Sequence, residues 1–417
     1  MEYKAPRGTR DILPIDTPKW QWVEEKFRKV CKLYDFYEIR TPTFEHTELF
    51  TRNLGDLTDV VSKEMYTFET RGDRSLTLRP EGTAPAMRAY CEHNLGDAKP
   101  VVKMYYIARL FRYERPQAGR YREHTQLGIE AVGAEDPAME AEIISLASEF
   151  FKSIGIVDYT LKLNSIGCPK CRPGYRQALL DYVGGRVGEL CESCAARYEQ
   201  NPLRMLDCKN PGCKAVLAGA PKLTDYLCED CKEHFEKVKK YLDALGIAYV
   251  LDPNLVRGFD YYTKTAFEFV SGALGAQNAI GGGGRYDNMV EEIGGKHVPS
   301  IGFGLGLDRL MLTLESMGID VPGDTGLDVF VVAMGDKARE YSVKLLRDLR
   351  AAGISADGDY TGRSMKAQMK LAGKYNARYA LIIGDNEIDA GEAAVKDMAA
   401  SEQTNVKFED LVSFLGK

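Results

Sequence analysis

Residues 109–133 read RLFRYERPQAGRYREHTQLGIEAVG, and the fold is decided by how this stretch is read. Two apolar-alternating runs, 102–113 and 126–132, flank a tip rich in arginine and glycine. Alternation with a period of two marks half-buried strands, so the segment is predicted to form a β-hairpin with a long polar tip. It carries Arg109, Arg112, Arg115, Arg120 and Arg122, interleaved with Glu114, Glu123 and Glu130. Guanidinium forks at this density suit phosphate or carboxylate. The same residues also suit a solvated pair of strands, so the hairpin alone leaves both readings open.

Upstream of the hairpin, Trp20, Val23, Phe27, Val30, Cys31 and Tyr34 recur at helical spacing behind Asp16 or Thr17 as cap and Pro18 in the first turn. A strand is expected over 36–41, ended by Pro42, which places it at a sheet margin or an interface. Residues 58–79 read as a further pair of strands leading into Thr77–Arg88, where a strand becomes a helix with Glu81 and Thr83 in its first turn. Downstream, 137–154 reads as a helix and 159–163 as a strand. A cysteine-paired segment then interrupts from about 166 to about 235, followed by a helix to Leu245 and strands at 248–251 and 262–270. The linker Asp320–Gly326 marks a boundary. Beyond it alternate strand 328–333, helix 336–352, strand 354–357, helix 364–376, strand 379–383, strand 393–398 and a last strand with a helix through Leu415, a compact α/β domain.

With 417 residues, 44% of them apolar and 28% charged, the chain has the composition of a globular protein of two or three domains. No run of 18 apolar residues occurs and the first residues lack the apolar core of a signal peptide, so no membrane partner and a cytoplasmic location are expected. A net charge of −6 excludes an all-basic surface but not a local basic groove.

Ten cysteines are present, and eight fall in four pairs: Cys168 with Cys171, Cys191 with Cys194, Cys208 with Cys213, and Cys228 with Cys231. Such pairs in a chain without a secretion signal read as tetrahedral thiolate sites, enough for two zinc ions or for one. Reduced, idle cysteines in a helical insertion are the alternative, and the spacing does not say which pair joins which. Cys31 and Cys91 read as small buried hydrophobes.

The run Ala279–Asp287 and the segment Ser300–Leu310 are rich in glycine but match neither a phosphate loop nor a dinucleotide fingerprint. Their glycines permit close backbone approach to a flat ligand, or tight strand packing. Arg285 and Arg309 follow these clusters, and Arg257 stands in a third such setting. Such arginines suggest convergence on a polyphosphate; a structural ion pair is the competing role for each.

Several motifs, in order, carry a resemblance. Arg7–Ile12, the helix and strand ending at Pro42, Leu78–Thr83, Phe111–Gln117, Leu255–Tyr262, Gly283–Asp287 and Gly302–Arg309 together resemble the histidyl-tRNA synthetases, class II aminoacyl-tRNA synthetases, over essentially the whole chain. The resemblance implies an α+β catalytic domain with an antiparallel sheet over 1–325, a small Cys-rich insertion over 166–240, and a C-terminal α/β anticodon-binding domain over 327–417. It implies histidine–tRNA ligase activity: L-histidine is activated with ATP to the adenylate, then passed to the 3′ end of tRNA(His). It implies a homodimer joined through the first helix and the strand to Pro42. By position, Arg112 would bridge the histidine carboxylate and the α-phosphate, Arg309 would hold the polyphosphate, and Arg257 would sit on the α-phosphate. Glu81, Thr83 and Gln126 would bind the α-amino group, with Gly82 beside them. Glu130 and Tyr262 would face the imidazole, with Tyr261 adjacent. Where the family carries Phe as the platform under adenine, this chain has His124, whose imidazole can stack in its place.

The chemistry suits such a set. A histidine carboxylate is already ionised at pH 7, so adenylation needs positioning and charge stabilisation rather than a general base. Mg²⁺ is expected on the pyrophosphate and zinc in the insertion. The hairpin loop (Arg115, Gln117, Arg120, Arg122) would meet the acceptor end of the tRNA. Lys366, Lys370 and Lys374, spaced four apart, form either an RNA-facing surface or a solvated face. Two rivals remain: the non-catalytic paralogue that regulates ATP phosphoribosyltransferase, and a zinc-knuckle nucleic-acid-binding protein. Histidine-dependent exchange between ATP and pyrophosphate separates all three.

Overall fold

In the computed structural model, residues 3–416 are described except 56, 57, 59, 275–277, 324 and 325. Two positions of the linker reading, 324 and 325, and one position of the 58–79 reading, 59, thus lie outside the described residues. The chain divides into two compact units, Met1–Val321 and Pro322–Lys417.

The first unit is organised on an eight-stranded sheet. Across it run Tyr37–Glu38, Val102–Phe111, Glu123–Val132, Ser300–Gly306, Ala279–Arg285, Thr263–Val270, Thr160–Ser165 and Val250–Leu251. The six inner strands pair antiparallel, and the two-residue outer strands pair parallel to their neighbours. The predicted hairpin is its longest unit: Val102 pairs with Val132 and Phe111 with Glu123, leaving 112–122 as the tip. Alternation fixes this register, since a slip by one residue would turn Leu127, Ile129 and Ala131 out of the core.

On one face the helices Thr17–Leu33, Ala138–Ser153 and Glu229–Ala244 bury Phe27, Phe150, Phe151 and Val238 against the sheet residues Phe267, Phe269 and Phe303. The first helix hides Val23, Phe27, Val30 and Cys31, the stripe read from its spacing. The other face holds the helix Thr83–Glu92, the insertion and a three-stranded sheet of Phe44–His46, Ser75–Leu78 and Tyr66–Glu69.

Some expectations shift. The strand expected over 36–41 is only Tyr37–Glu38, at the sheet edge where proline is tolerated. In the 58–79 region, Val60–Glu64 is a single turn of π-helix, and the strands begin at Tyr66. Both glycine-rich segments are central strands, which β-propensity alone does not suggest.

In the second unit a five-stranded sheet runs Ala356–Gly358, Val329–Met334, Tyr379–Gly384, Glu392–Asp397 and Gln403–Lys407. The first three strands are parallel and the last two antiparallel. Helix Asp336–Ala351 packs on one face and helix Met365–Lys374 on the other. Gln368 is buried and binds the main chain of Ala333 through both ends of its amide. Lys366, Lys370 and Lys374 are exposed on that helix. A short helix, Asp385–Ala390, was not expected from the sequence.

Candidate active site

A cavity of about 460 Å³ opens on the face of the large sheet away from its long helices. Arg112 enters it from the hairpin tip, Arg257 from the loop before Thr263–Val270, and Arg309 from the first turn of helix Leu307–Ser316. Three guanidinium groups from distant parts of the chain thus share one cavity.

Each is held differently. Arg112 Nε donates to the Pro80 carbonyl oxygen at 2.7 Å, its carbon lies 5.5 Å from the Phe259 ring centroid, and Glu114 stands 3.9 Å away. Arg257 pairs with Glu268 at 3.0 Å and lies 5.7 Å from the Tyr262 ring centroid, while its buried Nε has no partner. A side chain at Gly282 would place its Cβ 2.5 Å from Arg257 Nη1, so this glycine clears the room that the Arg257 guanidinium occupies. At Gly304 a Cβ would collide with Gln126 in the same way. The glycine strands are therefore a floor with side-chain bulk removed beneath the cavity.

Arg285 is a correction to the sequence reading. It is fully buried and donates to both oxygens of Glu140, to the Ala134 carbonyl and to Asp287. His234 and Thr265 complete the same knot around Glu140. With its donors satisfied inside the core, Arg285 is an internal ion pair and not a phosphate ligand.

Glu81, Thr83, Gln126, Tyr261 and Tyr262 line the cavity together with Tyr106 and Tyr286. Glu81 accepts from the amides of Thr83 and Ala84 at 2.7 Å each, capping the helix that begins at Thr83. Its burial nevertheless raises its pKa. Gly82 and Glu130 are not on the cavity wall: Gly82 backs onto the Tyr106 ring, and Glu130 lies just beneath. Glu130 accepts from Thr83 Oγ1 at 2.8 Å, from the Tyr106 hydroxyl at 3.1 Å and from the Tyr286 hydroxyl. Burial pushes its carboxyl up to about 8, although the hydroxyl donors act the other way.

His124 lines the cavity beside Tyr121, Gly306 and Arg309. Burial first and the Arg112 charge second hold its imidazole down to about 4, so the ring is neutral at pH 7. Its Nδ1 is buried without a partner. Asp308, the neighbour of Arg309, is bound by Arg10 at 2.6 Å and by the Thr125 amide at 3.1 Å. Arg10 also stacks on Tyr121 at 4.4 Å, and the Gly8 carbonyl accepts from the Arg122 amide. The N-terminal motif thereby fastens the hairpin tip over the site. At that tip Arg120 pairs with Glu114, Arg122 lies over Tyr113, and Arg115 and Gln117 are exposed.

Arg204 and Asp207 also line the cavity and were not singled out from the sequence. They come from the Cys-rich insertion, and only proximity in space reveals them. Within that insertion the eight cysteines gather into two sets, Cys168, Cys171, Cys228 and Cys231, and Cys191, Cys194, Cys208 and Cys213. Within each set the sulfurs lie no more than 4.8 Å apart, close enough to hold a metal ion. The sequence left this pairing open: the outer knuckles join each other, and so do the inner ones.

A glycine-floored cavity on an antiparallel sheet, walled by arginines from a long hairpin and a following helix, is the architecture of the class II aminoacyl-tRNA synthetases. Residues 8–310 match the histidyl-tRNA synthetase family model, and residues 328–417 match that of an anticodon-binding domain. The chain is 52% identical over 410 residues to the histidine–tRNA ligase of Desulforamulus reducens, covering 98% of each chain. It is 50% identical over 414 residues to that of Clostridioides difficile, covering 99% of this chain and 98% of the relative. The crystal structure of apo S. aureus histidyl-tRNA synthetase superposes with a TM-score of 0.85 at 40% identity, with both chains fully covered. The chain belongs to the histidyl-tRNA synthetase family.

Proposed function

We propose that the cavity activates L-histidine with ATP, and that Arg112, Arg257 and Arg309 divide the charge of the reacting carboxylate and triphosphate among them. Family membership carries the overall reaction, ligation of L-histidine to tRNA(His) with an anticodon-binding domain in the same chain. The observation that carries the division of labour is the convergence of the three arginines on one cavity.

Arg112, leaning on Phe259 and the Pro80 carbonyl, bridges the histidine carboxylate and the α-phosphate. Arg257 holds the α-phosphate with the donor atoms that Glu268 leaves over, and Arg309 holds the β- and γ-phosphates. The carboxylate attacks the α-phosphorus, the bond to the bridging oxygen breaks, and pyrophosphate leaves. Fixed guanidinium groups stabilise the charge as it shifts, which is the main protein contribution to such transfers. Glu81, Thr83 and Gln126 receive the α-amino group, with Gly82 keeping Tyr106 close behind them. The imidazole faces the tyrosine cluster of Tyr262, Tyr261 and Tyr286, backed by Glu130, which orients the hydroxyls it binds. Groups that match a ring with two nitrogens reject side chains that would leave them buried and unpaired. His124 offers a neutral flat ring to adenine.

Among the described residues, the only groups of three or more ligating side chains near enough to hold a metal are the two cysteine sets. Mg²⁺ would therefore take its ligands chiefly from the phosphate oxygens of ATP, where it supplies charge neutralisation. We assign the hairpin tip, with Arg115, Gln117 and Arg120, to the acceptor end of the tRNA. We assign the first helix and the strand to Pro42, where Leu33 and Tyr37 are exposed, to a homodimer interface of a cytoplasmic enzyme. Among the described residues no helix is long and apolar enough to cross a membrane.

Exchange of labelled pyrophosphate into ATP tests the reading. Exchange should depend on added L-histidine and fail with other amino acids. Its absence from folded protein would overturn the assignment.

A further inference from the structure

We propose that the insertion carries two zinc–tetrathiolate sites and that these sites brace the Val256–Tyr262 segment from which Arg257 works. The inference rests on the reading of Arg257 given above and goes beyond it.

The geometry of the sulfurs speaks first. Four sulfurs bound at about 2.3 Å to one tetrahedral zinc stand about 3.8 Å from each other. Cys168 and Cys171 are 3.6 Å apart, Cys168 and Cys228 3.9 Å, and Cys191 and Cys208 3.8 Å. A disulfide would need about 2.05 Å. Each set comprises two buried and two half-buried cysteines.

The backbone is arranged for thiolates as well. The Cys228 amide donates to Cys171 Sγ at 3.1 Å, and the Cys191 amide donates to Cys213 Sγ at 3.1 Å. Helices of 13 and 16 residues start at Arg172 and Glu229, so Cys171 and Cys228 stand at helix N-termini, where the amide dipoles favour negative sulfur. On binding, four thiols release their protons to solvent as four zinc–sulfur bonds form, and no group changes oxidation state.

What the two sites hold in place is the second observation. Arg172, adjacent to Cys171, donates to the Tyr262 carbonyl. Asn201 and Arg204 lie in the loop between Cys194 and Cys208; Asn201 donates to Asp260 at 2.9 Å and Arg204 to the Arg257 carbonyl at 2.8 Å. The outer site thus fixes one end of the catalytic segment, and the inner site fixes the end that carries Arg257. Closing the 194–208 loop with a metal removes conformational freedom that would otherwise loosen both contacts. Arg204 is a positioning residue on this account.

The test uses the full chain, purified without added metal. Elemental analysis should find close to two zinc per chain, and X-ray absorption should show four sulfurs at about 2.3 Å around each. Cys171→Ser/Cys231→Ser, within one set, should retain one zinc, whereas Cys171→Ser/Cys194→Ser, across the sets, should retain none. Arg204→Ala should keep both zinc ions and its melting temperature while kcat for histidine-dependent exchange falls about tenfold, with Arg204→Lys recovering part of it. Zinc well below two per wild-type chain, iron in its place, the opposite pattern in the double variants, or an unchanged kcat in Arg204→Ala would each overturn the proposal. Failure of the Arg257 reading is distinguishable, because Arg257→Ala would then exchange normally with its zinc content intact.

Discussion

Arg285 and Arg257 both stand beside the glycine floor, yet they do opposite work. Arg285 sits at the end of one glycine strand and spends its donors on Glu140, Ala134 and Asp287, without solvent contact. Arg257 lies across the same strand, bound through one nitrogen to Glu268, with a neighbouring nitrogen left without a partner beside an open cavity. Residue type and glycine context are shared; the number of partners already in place separates a core ion pair from a cation with a donor to spare beside a cavity.

Arg285→Ala leaves Glu140 buried beside His234 without its main counter-charge, and chemical denaturation should show a loss of about 3–5 kcal/mol or no folded protein at all. On the cavity side, Arg309→Gln should leave stability within about 0.5 kcal/mol and lower histidine-dependent exchange about a hundredfold.

Glu130 sharpens the comparison through pH. Its carboxyl is pushed up to about 8 in the folded chain against an ordinary 4.5, so the folded state keeps a proton that the unfolded state has released. Stability from this group is therefore lost as pH rises between those two values and changes no further above the upper one. Relative to the wild type, Glu130→Gln should gain stability steadily over that window, by at most about 1.4 kcal/mol per pH unit, in paired melting curves. A constant difference across the window would show that Glu130 is charged throughout. The smallest effect is expected for His124→Phe, which exchanges one flat uncharged ring for another: KM for ATP should move less than about threefold.

The sequence made some of this legible and hid the rest for physical reasons. The hairpin showed because alternation over ten-residue strands is a strong local signal. The first helix showed for the same reason at helical period. Thiolate knuckles were visible from spacing, but which knuckle meets which depends on how the chain folds back between Cys168 and Cys228, 60 positions apart, and no local pattern encodes that. The glycine runs left strand packing and close approach to a ligand both open, because glycine is a poor strand former; their neighbours in the sheet, and the side chains that need the vacated space, decide the conformation. Arg285 and Arg257 could not be told apart, since Glu140 lies 145 residues from Arg285. Arg204 and Asp207 reach the cavity from the insertion, far from the hairpin and the glycine strands in sequence, so nothing nearby in sequence marks them.

On the proposed reading, Arg257 acts on the α-phosphate beside a pocket that takes histidine. Single-turnover formation of histidyl-adenylate by Arg257→Ala, measured together with calorimetric histidine binding, tests it most directly. Adenylate formation should slow by about a hundredfold or more, with histidine affinity changed less than about threefold. Adenylate formed at the wild-type rate, or histidine affinity lost in step with it, would contradict it.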